Sequence, residues 1–400
     1  MRQILNIAFY EVLYIFRNRV LTLMVLVVPL FYAAVMGTAY VEGIFDSIPI
    51  GIVDLDHSQL SRELVDDFKN CPQFSVREGV ENYRVLEREV REGRLKAGVV
   101  IPENFENDVI NSRGTEVLVA YDASNLISAY NIRKNALQVI NTLNARCAAS
   151  YLAGKGMTEG EIKSTLDAVS YEYQVWYNPT LNYAVFIFPG IIMMVIHQIG
   201  MYSVALSVTR EKNYNSWVQF VSSPVPSWKI YLGKSLPYFI SNFFNYGLLL
   251  WFASEFINIK IKGSTYILVL LGFLYVATIT SIGFFISVHS KNTLQVTRYM
   301  LLLSVPLFMI SGFTWPKAYM SHWVSAAADA VPYTWMAEGI RLAAIKGLGL
   351  EYLRKTIKVL SLMAVVSVFL GAVFSKREKP KERIRFGFNG DSYFPKIEKV

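Results

Sequence analysis

The chain has 400 residues, 53% of them hydrophobic and 18% charged, with a mean hydropathy of +0.32, a balance too apolar for an ordinary soluble protein of this length. Its net charge of +8 is unevenly spread: residues 44–178 hold 14 Lys and Arg against 20 Asp and Glu, and the remainder holds 25 against 11. The basic excess therefore sits beside hydrophobic stretches, which excludes nucleic-acid binding as its meaning and makes a membrane protein the first hypothesis.

Residues 1–19 place Ile4, Leu5, Ala8, Phe9, Val12, Leu13 and Phe16 at alternating steps of one and three. That spacing gives one apolar helical face, expected to lie in the membrane interface; a cytoplasmic extension of the first span is the alternative. A hydrocarbon core of ~30 Å requires ~20 apolar residues as helix. Six stretches approach that length, at 20–40, 181–208, 235–257, 265–288, 294–313 and 356–374. The first is expected to be a retained span, since no A-x-A-like cleavage site follows it in "GTAYVEGIF".

Residues 41–180 read as an α/β domain. "IPIGIVDLD" is strand-like, "SQLSRELVDDF" has helical spacing of Leu60, Leu64 and Phe68, "KAGVVIPENF" and "TEVLVAYDAS" contain further short strands, and a long helix runs from about Ser128 to Leu152. Cys71 and Cys147 both fall here, as a disulfide or as two buried thiols. His57 stands between Asp56 and Ser58, whose side chains are read as caps of the following helix.

Between the second and third spans lies a charged, proline-punctuated passage, residues 209–234. From Glu211 to Val221 the residues Tyr214, Trp217, Val218 and Val221 recur at i, i+3, i+4 and i+7, with Lys212, Asn215 and Gln219 on other faces. The spacing predicts an amphipathic helix, stopped by Pro224 and Pro226. Gly233-Lys234-Ser235 imitates the end of a phosphate loop, but that motif requires a glycine five residues before Gly233, where Trp228 stands. Lys234 is therefore read as an interface anchor and Gly233 as a small residue allowing a bend or close packing.

Within the spans, His197-Gln198 and the set Ser241, Asn242 and Asn245 are polar at membrane depth, marking either a substrate path or interhelical hydrogen bonds. Residues 314–350 are too polar to span and read as an outer re-entrant region, in which Glu338 and Arg341 are placed to pair. The tail at 375–400 opens with the basic "SKREKPKERIR". With Arg17 and Arg19 it predicts cytoplasmic termini by the positive-inside rule, and six crossings then put the 209–234 loop inside and the α/β domain outside; Arg354, Lys355 and Lys358 run against this charge pattern.

The run Ser223-Pro224-Val225, Gly233-Lys234 and Pro237-Tyr238 resembles the cytoplasmic loop of permease subunits of the ABC type-2 exporters. "AGVVIPENFENDVINSRGTEVLVAYDAS" is similar to the external domain of the long, drug-exporter-like members, and "SGFTWPKAYMSHW" with "VPYTWMAEGIRLAAIKG" to their outer region between the last two spans. The likeness covers nearly the whole chain. It departs where relatives tend to carry a Gly-Thr pair and more acidic residues in the coupling helix, since Asn213, Asn215-Ser216 and Val218 stand here. The resemblance implies an α-helical permease of the bacterial cytoplasmic membrane with two copies, identical or related, working with ABC ATPase subunits. ATP and magnesium belong to that partner, and this chain has no cofactor. Glu211, Lys212, Tyr214, Trp217, Val218, Val221 and Pro224 are the implied ATPase-coupling residues. A membrane-fusion adaptor is left open as a further partner. A membrane-anchored receptor and an ion-coupled exporter without an ATPase are the rival readings.

Overall fold

The structure is a computed structural model that describes residues 1–40, 47–111, 113–166, 176–178 and 182–375. The predicted basic tail from 376 onward lies outside the described residues. The chain divides into two compact units, residues 1–42 with 182–400, and residues 43–181.

Helix α1 spans Arg2–Arg17 and ends where Asn18 takes an extended backbone (φ −99°, ψ 103°). The break separates α1 from the first apolar helix and rules out a simple extension of that span. Asn18 then caps the next helix by accepting from the Leu21 N–H. That helix comprises α2 (Arg19–Thr22), a π-helical turn (Leu23–Val27) and α3 (Val28–Tyr40).

The second unit is an α/β fold, as its strand signals predict. In chain order it contains β1 (Ile48–Asp54), α4 (Gln59–Lys69), β2 (Phe74–Arg77), α5 (Tyr83–Arg91), β3 (Ala97–Ile101), α6 (Phe105–Ile110), β4 (Leu118–Tyr121), α7 (Leu126–Gly154) and α8 (Glu159–Leu166). The strand order is β2-β1-β3-β4, with β1 parallel to both neighbours and β4 antiparallel to β3. Alternate strand residues face opposite sides. Ile48, Ile50, Val99 and Ile101 pack with Leu64, Phe68 and Ile132 of α4 and α7, whereas Val53 meets Leu86 of α5 on the other face. Ser58, not Asp56, caps α4, and Asp56 instead accepts from the Glu106 N–H at the start of α6. Cys71 and Cys147 are free thiols, half-buried beside the same core.

The first unit resumes with α9 (Tyr183–Asn213), α10 (Trp217–Ser222), α11 (Ser227–Glu255), α12 (Thr265–His289), α13 (Thr293–Ile310), α14 (His322–Asp329), α15 (Pro332–Ile340) and α16 (Leu350–Phe374). Among the described residues, five helices are long and apolar enough to cross a membrane: Arg19–Ala39, α9, α12, α13 and α16. The predicted third span is the 29-residue α11, which is not among the five and holds Lys229, Lys234, Asn242 and Asn245. It begins at Ser227, so "SWKIYLGK" forms its first turns and does not lead into it as a loop.

Helices α9 and α12 form the centre of this unit, where Phe188, Val204, Leu271, Tyr275 and Ile279 are fully buried. Small residues set the spacing. A Cβ at Gly283 would lie 2.5 Å from the Met201 carbonyl oxygen, and one at Gly190 would lie 2.2 Å from the Phe313 ring. Phe313 thereby fixes the start of the predicted re-entrant region against α9. Within that region Tyr333, Trp335 and Met336 of α15 enter the core. Arg341 does not pair with Glu338, which is exposed; its guanidinium donates to the Phe313 carbonyl (3.0 Å) and stacks on the Phe313 ring.

Overpacking of this kind costs about 1–3 kcal/mol. Gly190→Ala should therefore lower the thermal stability of the detergent-solubilised chain, and adding Phe313→Ala should recover part of the loss. Equal melting of wild type and Gly190→Ala would show that the contact does not constrain the fold.

Candidate functional site

The densest polar cluster among the described residues lies where α1 crosses the ends of α9 and α11. Glu11 comes from α1, Ser207, Arg210 and Glu211 from α9, and Lys234 and Tyr238 from α11. Glu11 is only 2% exposed, as is Lys234. Lys234 Nζ donates to Glu11 Oε2 and Glu211 Oε1, each at 2.8 Å. Arg210 Nη2 reaches both Glu11 oxygens at 3.2 Å and Glu211 Oε1 at 2.9 Å. The hydroxyls of Ser207 (2.6 Å) and Tyr238 (2.8 Å) complete the shell of Glu11 Oε1. Two carboxylates and two cations thus cancel, and each charge keeps hydrogen-bonding partners, the condition under which buried ions persist.

Burial raises the Glu11 carboxyl pKa, but the charges of Lys234 and Arg210 and the bonds from Lys234 and Ser207 outweigh it. The group is held below its ordinary value of 4.5. Aromatic faces close the cluster on two sides: Arg210 Cζ sits 3.5 Å from the Tyr14 ring centroid and Lys234 Nζ 4.9 Å from that of Phe220. A cleft of about 430 Å³ opens here, bounded by Asn6, Tyr10 and Tyr14 of α1 and by Glu211 and Phe220.

The predicted helix from Glu211 to Val221 is divided. Helix α9 runs on to Asn213, the chain turns at Asn215 in the left-handed region (φ 56°), and only then does α10 begin. Asparagine tolerates that conformation, and the Ser216 N–H, bonded to the Glu211 carbonyl at 2.9 Å, closes the turn. The turn changes the faces that a continuous helix would present. Trp217 is 1% exposed and packs with Ile15, Val208, Tyr231 and Phe284 of its own chain. Tyr214 and Val218 are 76% and 61% exposed. Glu211 belongs to the charge cluster, and Lys212 Nζ donates to the carbonyls of Val288 and Ser290, capping the end of α12. Val221 is half-buried and Pro224 exposed.

Lys234 is a buried ion partner, contrary to its reading as an interface anchor. Gly233 does permit close packing, since a Cβ there would lie 2.7 Å from the Ile7 side chain. Glu11 was not visible as a site residue. It is the one acidic residue of α1, set among Phe9, Tyr10, Val12 and Leu13, and that isolation is the available signal.

The polar residues at membrane depth chiefly join helices. His197 Nδ1 lies 3.0 Å from the Tyr275 hydroxyl on α12, and Asn245 Nδ2 donates to the Val25 carbonyl in the π-helical turn (2.6 Å). Asn242 Nδ2 makes a long contact with Ser203 (3.4 Å), while its buried Oδ1 has no partner. Ser241 bonds back to the Pro237 carbonyl of its own helix, and Gln198 is half-buried on α9.

A model of a family described as "ABC-2 family transporter protein" matches residues 19–373. The inner membrane transport permease YhhJ of Escherichia coli strain K12 is 25% identical over 374 residues, covering 92% of this chain and 95% of its own. The linearmycin resistance permease protein LnrN of Bacillus subtilis strain 168 is 21% identical over 359 residues, covering 85% of this chain and 90% of its own.

Removing one member of a buried pair leaves an uncompensated charge at a cost of about 3–5 kcal/mol, whereas apolar replacement of both is often tolerated. Glu11→Gln should therefore destabilise the solubilised chain strongly, and Glu11→Gln with Lys234→Met should restore most of its melting temperature. Because the folded pKa of Glu11 is depressed, its contribution is complete above pH 4.5 and is lost as pH falls through the folded value. The stability difference between wild type and Glu11→Gln should be constant from pH 6 to 8 and shrink in acid. A difference unchanged to about pH 3 would refute this assignment.

Proposed function

The chain belongs to the ABC-2 family of transporter proteins, as a bacterial inner-membrane transport subunit, and from that premise we propose that it is the permease of an ATP-driven exporter coupled to a separate ATPase. The observation that carries the coupling assignment is the corner between α9 and α10. There Tyr214 and Val218 project from a turn whose base is anchored by the charge cluster and by buried Trp217. An exposed apolar pair on a rigid mount suits docking, because little side-chain order is lost when a partner covers it.

In this reading six spans cross the membrane: α2 with α3, α9, α11, α12, α13 and α16. Helix α11 is about 43 Å long at 1.5 Å per residue, and its exposed row Leu232, Leu236, Ile240, Phe244 and Trp251 supplies a lipid-facing surface despite the polar residues on its other side. The face of α1 with Leu5, Phe9 and Phe16, all exposed, rests in the inner-leaflet interface. The termini and the α9–α10 corner are cytoplasmic, and the α/β unit is outside. The exposed apolar residues of α13 and α16, such as Leu302, Val305, Leu362 and Phe369, are covered by lipid and by a second permease copy. ATP and magnesium act on the ATPase, whose movement the corner passes to the spans.

Cysteines introduced in the α/β unit should react with a membrane-impermeant thiol reagent in spheroplasts, whereas one at Asn213 should not; external labelling of the latter would reverse the topology. Val218→Asp or Tyr214→Ala should reduce recovery of the co-purifying ATPase about tenfold, equal to ~1.4 kcal/mol, with permease stability unchanged. Trp217→Ala should instead destabilise the permease itself by about 3–5 kcal/mol, as for other buried large aromatics. Full ATPase recovery with Val218→Asp and Tyr214→Ala combined would remove the corner as the docking surface.

A further inference from the structure

Resting on that reading, we propose that Glu11 is a positioning residue for coupling: it fastens the entry helix α1 to α9 and α11 beside the α9–α10 corner, so that α1 moves with the corner and not with the first span. Helix α1 is held to α11 along its length. Gln3 Oε1 accepts from Lys229 Nζ (3.0 Å) near one end, Ile7 fills the space left by Gly233, and Glu11 binds Lys234 and Tyr238 farther along. Glu11 also receives Ser207 and Arg210 from α9, and Tyr14 lies under the Arg210 guanidinium. Parting α1 from these helices would strand opposite charges in a low-dielectric site, which resists sliding more strongly than apolar contact does.

The connection from α1 to its own span is of another kind. Asn18 is extended, and element-terminal residues of this sort absorb the dihedral change when two bodies rotate. The joint is held by hydrogen bonds and apolar packing and not by ions: Thr22 Oγ1 donates to the Ile15 carbonyl (2.5 Å), the Asn18 N–H and Nδ2 to the Tyr14 carbonyl (3.0 Å) and hydroxyl (3.1 Å), and the Leu21 and Thr22 N–H groups to Asn18, while Ile15 packs in one core with Leu21 and Val25. Beyond it lies the π-helical turn, a second irregular point in the first span. A displacement delivered at Tyr214 and Val218 would pass through the charge cluster to α1 and reach the first span at Asn18. Glu11 is the one α1 side chain bonded to both α9 and α11 ions, and so it joins the three helices.

The test uses the permease with its co-purified ATPase in nanodiscs, with Cys71 and Cys147 replaced by serine. One variant pairs Gln3→Cys with Lys229→Cys across α1 and α11; another carries spin labels at Phe16→Cys and Val20→Cys across the hinge. The α1–α11 pair should cross-link at rates within twofold in the nucleotide-free state and after trapping with Mg-ATP and vanadate, and the cross-linked complex should keep at least half of its ATP hydrolysis. The Phe16–Val20 distance should change between the two states. In the Glu11→Ala complex that is recovered, that change should be lost, and Glu11→Asp should restore part of it. A cross-link that forms in one state only, a fivefold or greater loss of hydrolysis on locking, or a hinge distance equal in both states would overturn the proposal while leaving the exporter reading intact. The cross-linking arm keeps Glu11, so it decides even where Glu11→Ala fails to fold. Absence of any ATPase from the wild-type complex would overturn both.

Discussion

Four charges, two of each sign, with Glu11 and Lys234 buried and Arg210 and Glu211 half-buried, set the architecture of the end of the helical unit where α1, α9 and α11 meet. Their attraction is worth having only because all four are present together. Burial of an ion costs several kcal/mol after relaxation, and the contact recovers that cost only with opposite charges near 3 Å and filled hydrogen-bond shells. Glu11 meets both conditions through Lys234, Arg210, Ser207 and Tyr238. The cluster sits at the end of α9, where the Ser216 N–H to Glu211 carbonyl bond closes the Asn215 turn and Trp217 packs on Ile15, Val208, Tyr231 and Phe284.

The same constraint separates two kinds of helix in the unit. Helices α9 and α12 are cemented by close backbone approach and buried side chains, and hydrogen bonds such as His197 to Tyr275 fix their rotation. Helices α13 and α16 leave Leu302, Val305, Leu362 and Phe369 uncovered. A protein that changes shape in a bilayer needs both: a centre that keeps its register, and outer helices whose contacts with lipid or a neighbour can be exchanged at little cost.

The fold was legible in the sequence where pattern and composition agree. Apolar length marked five of the long helices, strand-like runs bounded by Pro and Gly marked β1 and β3, and the spacing of α1 gave its apolar face while leaving open whether it continued into the next helix, which the Asn18 break decides. The 209–234 loop was half legible. Spacing put Tyr214, Trp217, Val218 and Val221 on one face of one helix, but the Asn215 turn divides that helix, so Trp217 goes inward with Val221 half-buried while Tyr214 and Val218 face outward. Lys234 looked like a solvated anchor because lysine is seldom buried, and its two carboxylate partners are 223 and 23 residues away. Glu11 escaped for the same reason: its isolation among apolar residues sets it apart, but local sequence does not name a partner 223 residues away. The length of α11 was legible too, but Lys229, Lys234 and its buried asparagines lower its hydropathy, and it is not among the five helices long and apolar enough to cross a membrane.

The π-helical turn at Leu23–Val27 carries one more residue than an α-helical turn would, as the Val28 N–H bond to the Leu23 carbonyl shows. A π-helical turn closes one revolution with that extra residue, so it takes the residue up within the turn and leaves the segments on either side near the bearings that an unbroken α-helix would give them. Each residue of an α-helix advances the azimuth by about 100°. An insertion or deletion in the regular parts of α2 or α3 would therefore swing α1 by about that angle and turn Glu11 away from Lys234, while the hydropathy of the segment stayed as it was. Loss of one residue from Leu23–Val27 would restore an α-helical turn and leave α1 near its present bearing, so the place of an indel, and not only its length, decides whether the charge cluster survives.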